Sequence, residues 1–252
     1  MKKLGALIAI LALFAVSTFY AQPALTVHVT GGYSLPMPDL KGTWPDDFTA
    51  LKNPQPLYMK SGFNVGADAK YYVDKKLRSF GITLSLAYMG FTSGDLPAAA
   101  IDSLHTQGAF KTALNSFTAG LGVEYKFLTK KKASPFVGAE FTANFLSGKI
   151  TPSSGNEFTL KSTSRFGLAF NLGVDIKLSK NIGIIVGGKY ALMNLIGKDT
   201  VTSSTPLTEY TLRDKSYTTA GGVSVNALNL SYLQFYGGIS FYLMQPKVKV
   251  KK

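Results

Sequence analysis

Three stretches repeat one arrangement of opposite charges: Asp68-Ala69-Lys70, Glu124-Tyr125-Lys126 and Asp175-Ile176-Lys177. Each sets an acid and a base two residues apart. In an extended chain that spacing puts both on one face and the residue between them on the other. His28, Glu140, Arg165 and Lys189 occupy the same face of their own segments. Together the set holds four acids (Asp68, Glu124, Glu140, Asp175) against five bases (Lys70, Lys126, Arg165, Lys177, Lys189). Near-balance predicts a network of cross-strand ion pairs that fills and closes an interior, because a charge in a low-dielectric shell persists only when paired. The alternative is an ion-conducting path lined by the same groups.

Other chemistry is thinly supplied. The sequence has no Cys, which excludes disulfides, thiolate metal sites, thiol catalysis and a lipidated N-terminal Cys. Its two His, His28 and His105, are far apart, so no metal site is expected. Asp102, Ser103 and His105 crowd one connection, but a Ser-His-Asp site depends on geometry, and residues so close in sequence rarely face one another productively. No Gly-rich phosphate loop joins a strand to a helix. The expectation is no catalytic residue, no cofactor and no enzyme activity.

The charged face is carried by alternating, extended segments. In RFGLAFNLGVDIKL, residues 165–178, Phe166, Leu168, Phe170, Leu172, Val174, Ile176 and Leu178 alternate with polar or small residues. That is a strand with one apolar face. The pattern recurs over Ala24–Leu35, Ser61–Val73, Ser79–Phe91, Leu114–Leu128, Phe136–Leu146, Ile182–Leu195 and Leu230–Leu243, giving eight predicted strands. Connections after the second, fourth and sixth are short. Those after the first, third, fifth and seventh are long, at 36–60, 92–112, 148–161 and 196–229. The last of these is rich in Thr and Ser and can extend the seventh and eighth strands at that end. Antiparallel neighbours then gather all long loops at one end and all tight turns at the other.

Volume decides which face is wet. Eight strands, each with five or six bulky apolar side chains, present far more than the interior of an eight-stranded barrel can hold. The opposite face carries Gly66, Gly120, Gly138, Gly173 and Gly187 among Ser, Thr and Asn, a set small enough for a crowded lumen. The apolar face therefore points outward, into lipid, and closure leaves no unpaired backbone edge there. Strands of about ten residues suffice to cross when tilted. A soluble barrel of lipocalin type, apolar inside, is the competing fold.

Met1-Lys2-Lys3 followed by the apolar run Leu4–Val16 reads as a signal peptide, too short to span, with cleavage expected after Ala21. A retained anchor is the alternative. The expected plan is a leader over 1–21, a barrel over 22–243 and a basic tail over 244–252. The net charge of +13 becomes +11 once Lys2 and Lys3 leave with the leader. The long loops sum to near zero. The excess lies on the tight turns and tail, in Lys75, Lys76, Arg78, Lys130, Lys131, Lys132, Lys180, Lys247, Lys249, Lys251 and Lys252. A basic pole of this kind suits anionic inner-leaflet head groups or cell-wall carboxylates, or simply forms a solvated rim. Nucleic acid is not an expected partner of an exported chain. The first loop holds the single Trp, Trp44, and its apolar residues either bind partners or pack over the barrel mouth.

Strand count, polarity and loop asymmetry resemble the small outer-membrane barrels of the OmpA/OmpX type and the broader outer-membrane β-barrel domain family. The last strand adds Tyr236-Gly237-Gly238-Ile239-Ser240-Phe241-Tyr242-Leu243, which looks like the terminal signal read by the barrel-assembly machinery. The resemblance implies recognition through Gly238, Phe241 and Leu243, although here Met244–Lys252 follow the signal. Nothing resembles a peptidoglycan-binding domain. The sequence thus predicts an all-β, eight-stranded antiparallel up-and-down transmembrane β-barrel after a signal peptide, monomeric, in contact with outer-membrane lipid, with both mature termini periplasmic. The role expected is structural or surface-interacting. A narrow channel for small solutes is the second reading, and a lipid-modifying enzyme built around His28 or His105 the third.

Overall fold

The computed structural model describes residues 23–41, 57, 59–74, 77–96, 110–152, 157–200, 209–212, 214–218, 222 and 224–244. The leader, Trp44, Lys75, Lys76, Asp102, Ser103, His105 and the tail beyond Met244 lie outside them. The main strands are β1 (Leu25–Pro36), β2 (Ser61–Tyr72), β3 (Phe80–Leu96), β4 (Phe110–Lys126), β5 (Ala133–Pro152), β6 (Phe158–Lys177) and β7 (Ile182–Ile196). A single-turn helix α1 (Pro38–Lys41) follows β1. Three two-residue strands, β8 (Glu209–Tyr210), β9 (Tyr217–Thr218) and β10 (Ser224–Val225), precede the last barrel strand, β11 (Ser231–Leu243).

Each main strand pairs antiparallel with its neighbours in sequence, and the sheet closes where β1 meets β11, from Leu25↔Leu243 to Pro36↔Tyr232. The short turns have local chemistry that fixes them. Asp74 accepts from the Leu77 and Phe80 amides at 3.1 and 2.9 Å. The Ser179 hydroxyl accepts from the Asn181 and Ile182 amides at 3.3 and 3.1 Å. Both are side-chain turns of the kind short polar residues make.

Burial alternates along the barrel strands, and the apolar set points outward. Phe170 is 56% exposed and Leu172 64%, whereas their neighbour Asn171 is buried. A soluble barrel would show the reverse, so the lipocalin-type alternative is set aside. Among the described residues no helix is long and apolar enough to cross a membrane, and the strands do the crossing.

Three expectations about connections need correction. Residues 148–161 are mostly strand: β5 runs to Pro152 and β6 begins at Phe158. Ile150, Phe158 and Leu160 are good strand formers that the polar stretch between them masks, and Leu160 turns inward and is buried. The segment 92–112 likewise gives its ends to β3 and β4. The last long connection does not simply prolong its two flanking strands. Instead β8 lies parallel on β6, with Thr159↔Glu209 and Leu160↔Tyr210, and β9 pairs with β10 as a separate hairpin.

The lumen is also not lined by small residues alone. Near the long-connection end, Met89, Phe91, Leu114, Leu146, Leu160, Met193 and Tyr232 point inward. They pack with Leu40 of α1, Met59, Leu212, Leu228 and Leu230 into one apolar cluster. Loop residues thus supply much of the cluster, which caps the barrel from within. Toward the turn end Tyr72 and Tyr242 are buried in the lumen too. Glycines make the room. A Cβ on Gly183 would collide with the Tyr242 hydroxyl, and one on Gly187 would lie 2.6 Å from Tyr236 Cζ.

Candidate functional site

The inward charges are arranged in layers along the axis. Nearest the turns, the three acid–base repeats engage across the lumen rather than along their own strands. Lys70 of β2 donates to Glu124 of β4. Lys126 of β4 donates to Asp175 of β6, at 2.8 Å. These three strands run in the same direction with an intervening strand between each pair, so the base of one repeat meets the acid of the next. Asp68, left over at the start of the series, pairs with His28 Nδ1 at 2.8 Å and lies 3.7 Å from Lys70 Nζ.

Aromatic hydroxyls and faces complete this layer. The Tyr72 hydroxyl donates to Glu124 at 2.8 Å. Ser240 and Tyr242 donate to one oxygen of Asp175, at 2.9 and 2.7 Å. Lys70 sits 4.2 Å from the centre of the Phe136 ring, Lys126 4.7 Å from that of Tyr72, and Lys177 5.5 Å from that of Tyr242. Each of these ammonium groups gains a π-face as well as the surrounding charges. Lys70, Lys126, Glu124 and Asp175 are nearly inaccessible to solvent. Ions this deep are tolerated only because the carboxylate lone pairs are filled by several donors.

One level up, Glu140 of β5 receives Lys189 of β7 at 3.0 Å, Asn171 of β6 at 2.8 Å and Ser85 of β3 at 2.9 Å. Above it a neutral amide–hydroxyl layer spans the lumen. Gln234 donates to Asn64 at 2.8 Å and Asn64 to Ser34 at 3.1 Å, while Thr118 donates to Asn144 at 2.8 Å. Beneath the cap, Arg165 forms a two-pronged pair with Asp214, its Nε and terminal nitrogen each 2.9 Å from a carboxylate oxygen. Asp214 is fully buried and also accepts from the Asn194 side chain at 2.8 Å and the Asp199 amide at 3.0 Å.

The nine charged positions and His28 therefore face inward, but the sequence reading missed Asp214. It belongs to the loop between β7 and β11, not to a strand, so alternation could not place it. The signal available was the surplus base: four acids left one of five cations without a partner, and Asp214 supplies the fifth acid. Tyr72 and Tyr242 were missed because the adjacent pairs Tyr71-Tyr72 and Phe241-Tyr242 put an aromatic on both faces, and Phe136 because it opens its predicted strand, where alternation has yet to show a side. His28 is fully buried, and its Nε2 finds no hydrogen-bond partner among the described residues. Among the described residues no group of three or more potential ligands could hold a metal ion. In β11, Phe241 and Leu243 face outward and Gly238 inward, where a Cβ would strike the Val29 carbonyl of β1.

A closed antiparallel barrel with a charged, packed inside and an apolar outside is a transmembrane β-barrel protein. The chain belongs to the outer membrane protein beta-barrel domain family, whose model matches residues 6–232. That membership places it in an outer membrane. No curated protein matches it. Among solved structures it is similar to Neisserial surface protein A (NspA), with 14% identity, 87% of this chain and 97% of that one covered, and a TM-score of 0.48. A major outer membrane protein from Thermus thermophilus also has 14% identity and a TM-score of 0.48, over 86% and 99% of the two chains. The outer membrane protein OprG from Pseudomonas aeruginosa has 14% identity and a TM-score of 0.44, over 88% and 97%.

Proposed function

We propose that this chain is a monomeric, non-catalytic outer-membrane barrel with an occluded lumen. Its role is structural or surface-interacting, and its long connections face outward. The observation that carries this reading is the sequence of layers inside the barrel. Ion pairs, an amide–hydroxyl layer, the Arg165–Asp214 clamp and an apolar cap follow one another along the axis. An open conduction path needs wetted, loosely held groups. Here Glu124, Glu140, Asp175 and Asp214 each accept from two or more donors, and the outer end is greasy. Complete enclosure of His28 speaks against a substrate reaching it. The alternative that keeps His105 as a catalytic residue concerns a position outside the described residues.

With both mature termini in the periplasm, the tight turns lie there too. Lys130 and Lys180 are exposed on them, so the basic pole contacts anionic inner-leaflet head groups or cell-wall carboxylates. Gly238, Phe241 and Leu243 serve as the assembly signal. Planar-bilayer recording tests the occluded lumen: the intact protein gives no steady current. A sustained ohmic conductance would make it the narrow solute channel instead. Protease added to whole cells tests the topology, since it should cut the long connections and spare the turns.

A further inference from the structure

The outward face changes character abruptly at one level of the wall. On β3, β4, β5 and β6 the outward positions Tyr88, Phe117, Phe145 and Phe166 form an aromatic belt. Phe117 and Phe145 are paired in register with ring centres 6.4 Å apart. Two residues further toward the long-connection end, the same face carries Gly90, Asn115, Ser147 and Ser164. The step in side-chain size leaves a furrow of about 440 Å³ floored by Asn115 and Ser147 and hemmed by Tyr88, Phe117, Phe145 and Ser164. A second furrow of about 380 Å³ continues it toward β1 and shares Asn115. Girdles of aromatic side chains ordinarily mark the membrane–water boundary of such barrels. A hydroxyl-rich groove directly above such a belt sits at head-group depth.

Lysines stand beyond the furrow, toward the long-connection end. Lys111 and Lys149 are exposed and lie diagonally across the β4–β5 pairing, since Ala113 opposes Lys149 and Lys111 opposes Thr151. Diagonal neighbours of this length reach a common ligand. Lys161 is exposed next to Ser162, and Lys60 next to Ser61 at the second furrow. One acid tempers this: Glu157 pairs with Lys149 at 2.8 Å. In the β3–β4 register a second acid, Asp95, opposes Lys111. The Lys149–Glu157 pair is on the surface, where such a pair yields readily to a competing phosphate.

We propose that the furrow is a binding site for a phosphorylated glycolipid of the outer leaflet. Its acyl chains lie along Tyr88, Phe117 and Phe145. Its sugar hydroxyls meet Asn115, Ser147 and Ser164, and its phosphates meet Lys111 and Lys149. The leaflet assignment rests on the topology proposed above, but binding itself does not. The hydroxyl floor is what selects a sugar head group over a simple phospholipid, and the lysines select phosphate over a neutral sugar.

The test is native mass spectrometry of the full chain in detergent. It would be offered a bisphosphorylated acylated disaccharide, the same lipid without phosphates, or phosphatidylglycerol. A one-to-one adduct at least about tenfold preferred for the bisphosphorylated disaccharide is expected. Lys111→Glu/Lys149→Glu should lower it at least about tenfold, because lysines near a charged head group attract it and reversal turns that attraction into repulsion. Lys130→Glu/Lys131→Glu, at the other end, should leave it unchanged. Equal retention of phosphatidylglycerol or of the phosphate-free lipid would overturn the proposal. So would wild-type retention by the Lys111/Lys149 variant, with folding of each variant verified by heat-modifiable migration. Cleavage of the long connections only from the periplasmic side would overturn the leaflet assignment separately.

Discussion

Asp214 is the residue through which a loop grips the barrel from inside, and its removal has a calculable effect. The Asp214→Asn variant keeps the shape but loses the charge facing Arg165. It converts two charge-assisted bonds of 2.9 Å into one neutral contact and leaves a buried guanidinium without its anion. Breaking a buried pair in this way costs about 3–5 kcal/mol. At about 1.4 kcal/mol per factor of ten, the detached state of the loop should gain roughly two to three and a half orders of magnitude in population. Lys215 is exposed, but its amide is held by the Asp199 carbonyl at 3.2 Å, so trypsin can cut after it only once the segment leaves that contact and extends into the protease cleft. When opening is fast, cleavage reports the open population. Trypsin should therefore cut the Asp214→Asn variant after Lys215 at least about a hundredfold faster than the parent. Lys198→Ala, which removes an exposed 2.7 Å contact with Asn229, should change the rate by less than about fivefold. Equal cleavage of the parent and Asp214→Asn would show that the clamp does not hold the loop, and the argument for a latched cap would fall.

Other consequences are as direct. Lys70→Met strands Glu124 and should lower stability to urea by about 3–5 kcal/mol, while adding Glu124→Gln should recover part of that loss; strictly additive effects would mean that the two do not interact. Gly183→Ala forces the Tyr242 hydroxyl off Asp175 and should cost about 1–3 kcal/mol in the same measurement, and no shift would place Tyr242 elsewhere. Leu172→Arg, on the lipid face, should cost about 2–4 kcal/mol in lipid bilayers if the residue lies near the midplane. The Lys149 ammonium beside Glu157 holds that carboxyl below its ordinary range, chiefly through their hydrogen bond. The pair is thus complete above the usual glutamate range and is lost as pH falls through the depressed value. An NMR titration of Glu157 should shift upward in Lys149→Ala.

The barrel was legible because its physics is periodic. Alternation over 165–178 and in the other strands told which face met lipid, and connection lengths sorted the long connections to one end and the tight turns to the other. Strand tips were less legible: Ile150, Phe158 and Leu160 pair at the long-connection end, where the polar residues around them resemble loop. The inward charges were readable from parity alone. Their partners were not, because the offset that joins Lys70 to Glu124 and Lys126 to Asp175 comes from the stagger of neighbouring strands and not from spacing along the chain. Asp214 and Leu212 reach the interior from a loop and Leu40 from the single turn of α1, none of them long enough to show a period that betrays direction.

Seaming β1 to β11 ties together positions more than two hundred residues apart, with Leu25 opposite Leu243. The seam cannot form until the final stretch has been made and delivered. Loss of that stretch would expose two raw sheet margins in hydrocarbon, which no local repair can hydrogen-bond. Ribosome stalling before β11, or clipping back into it, should therefore yield no shortened but working version.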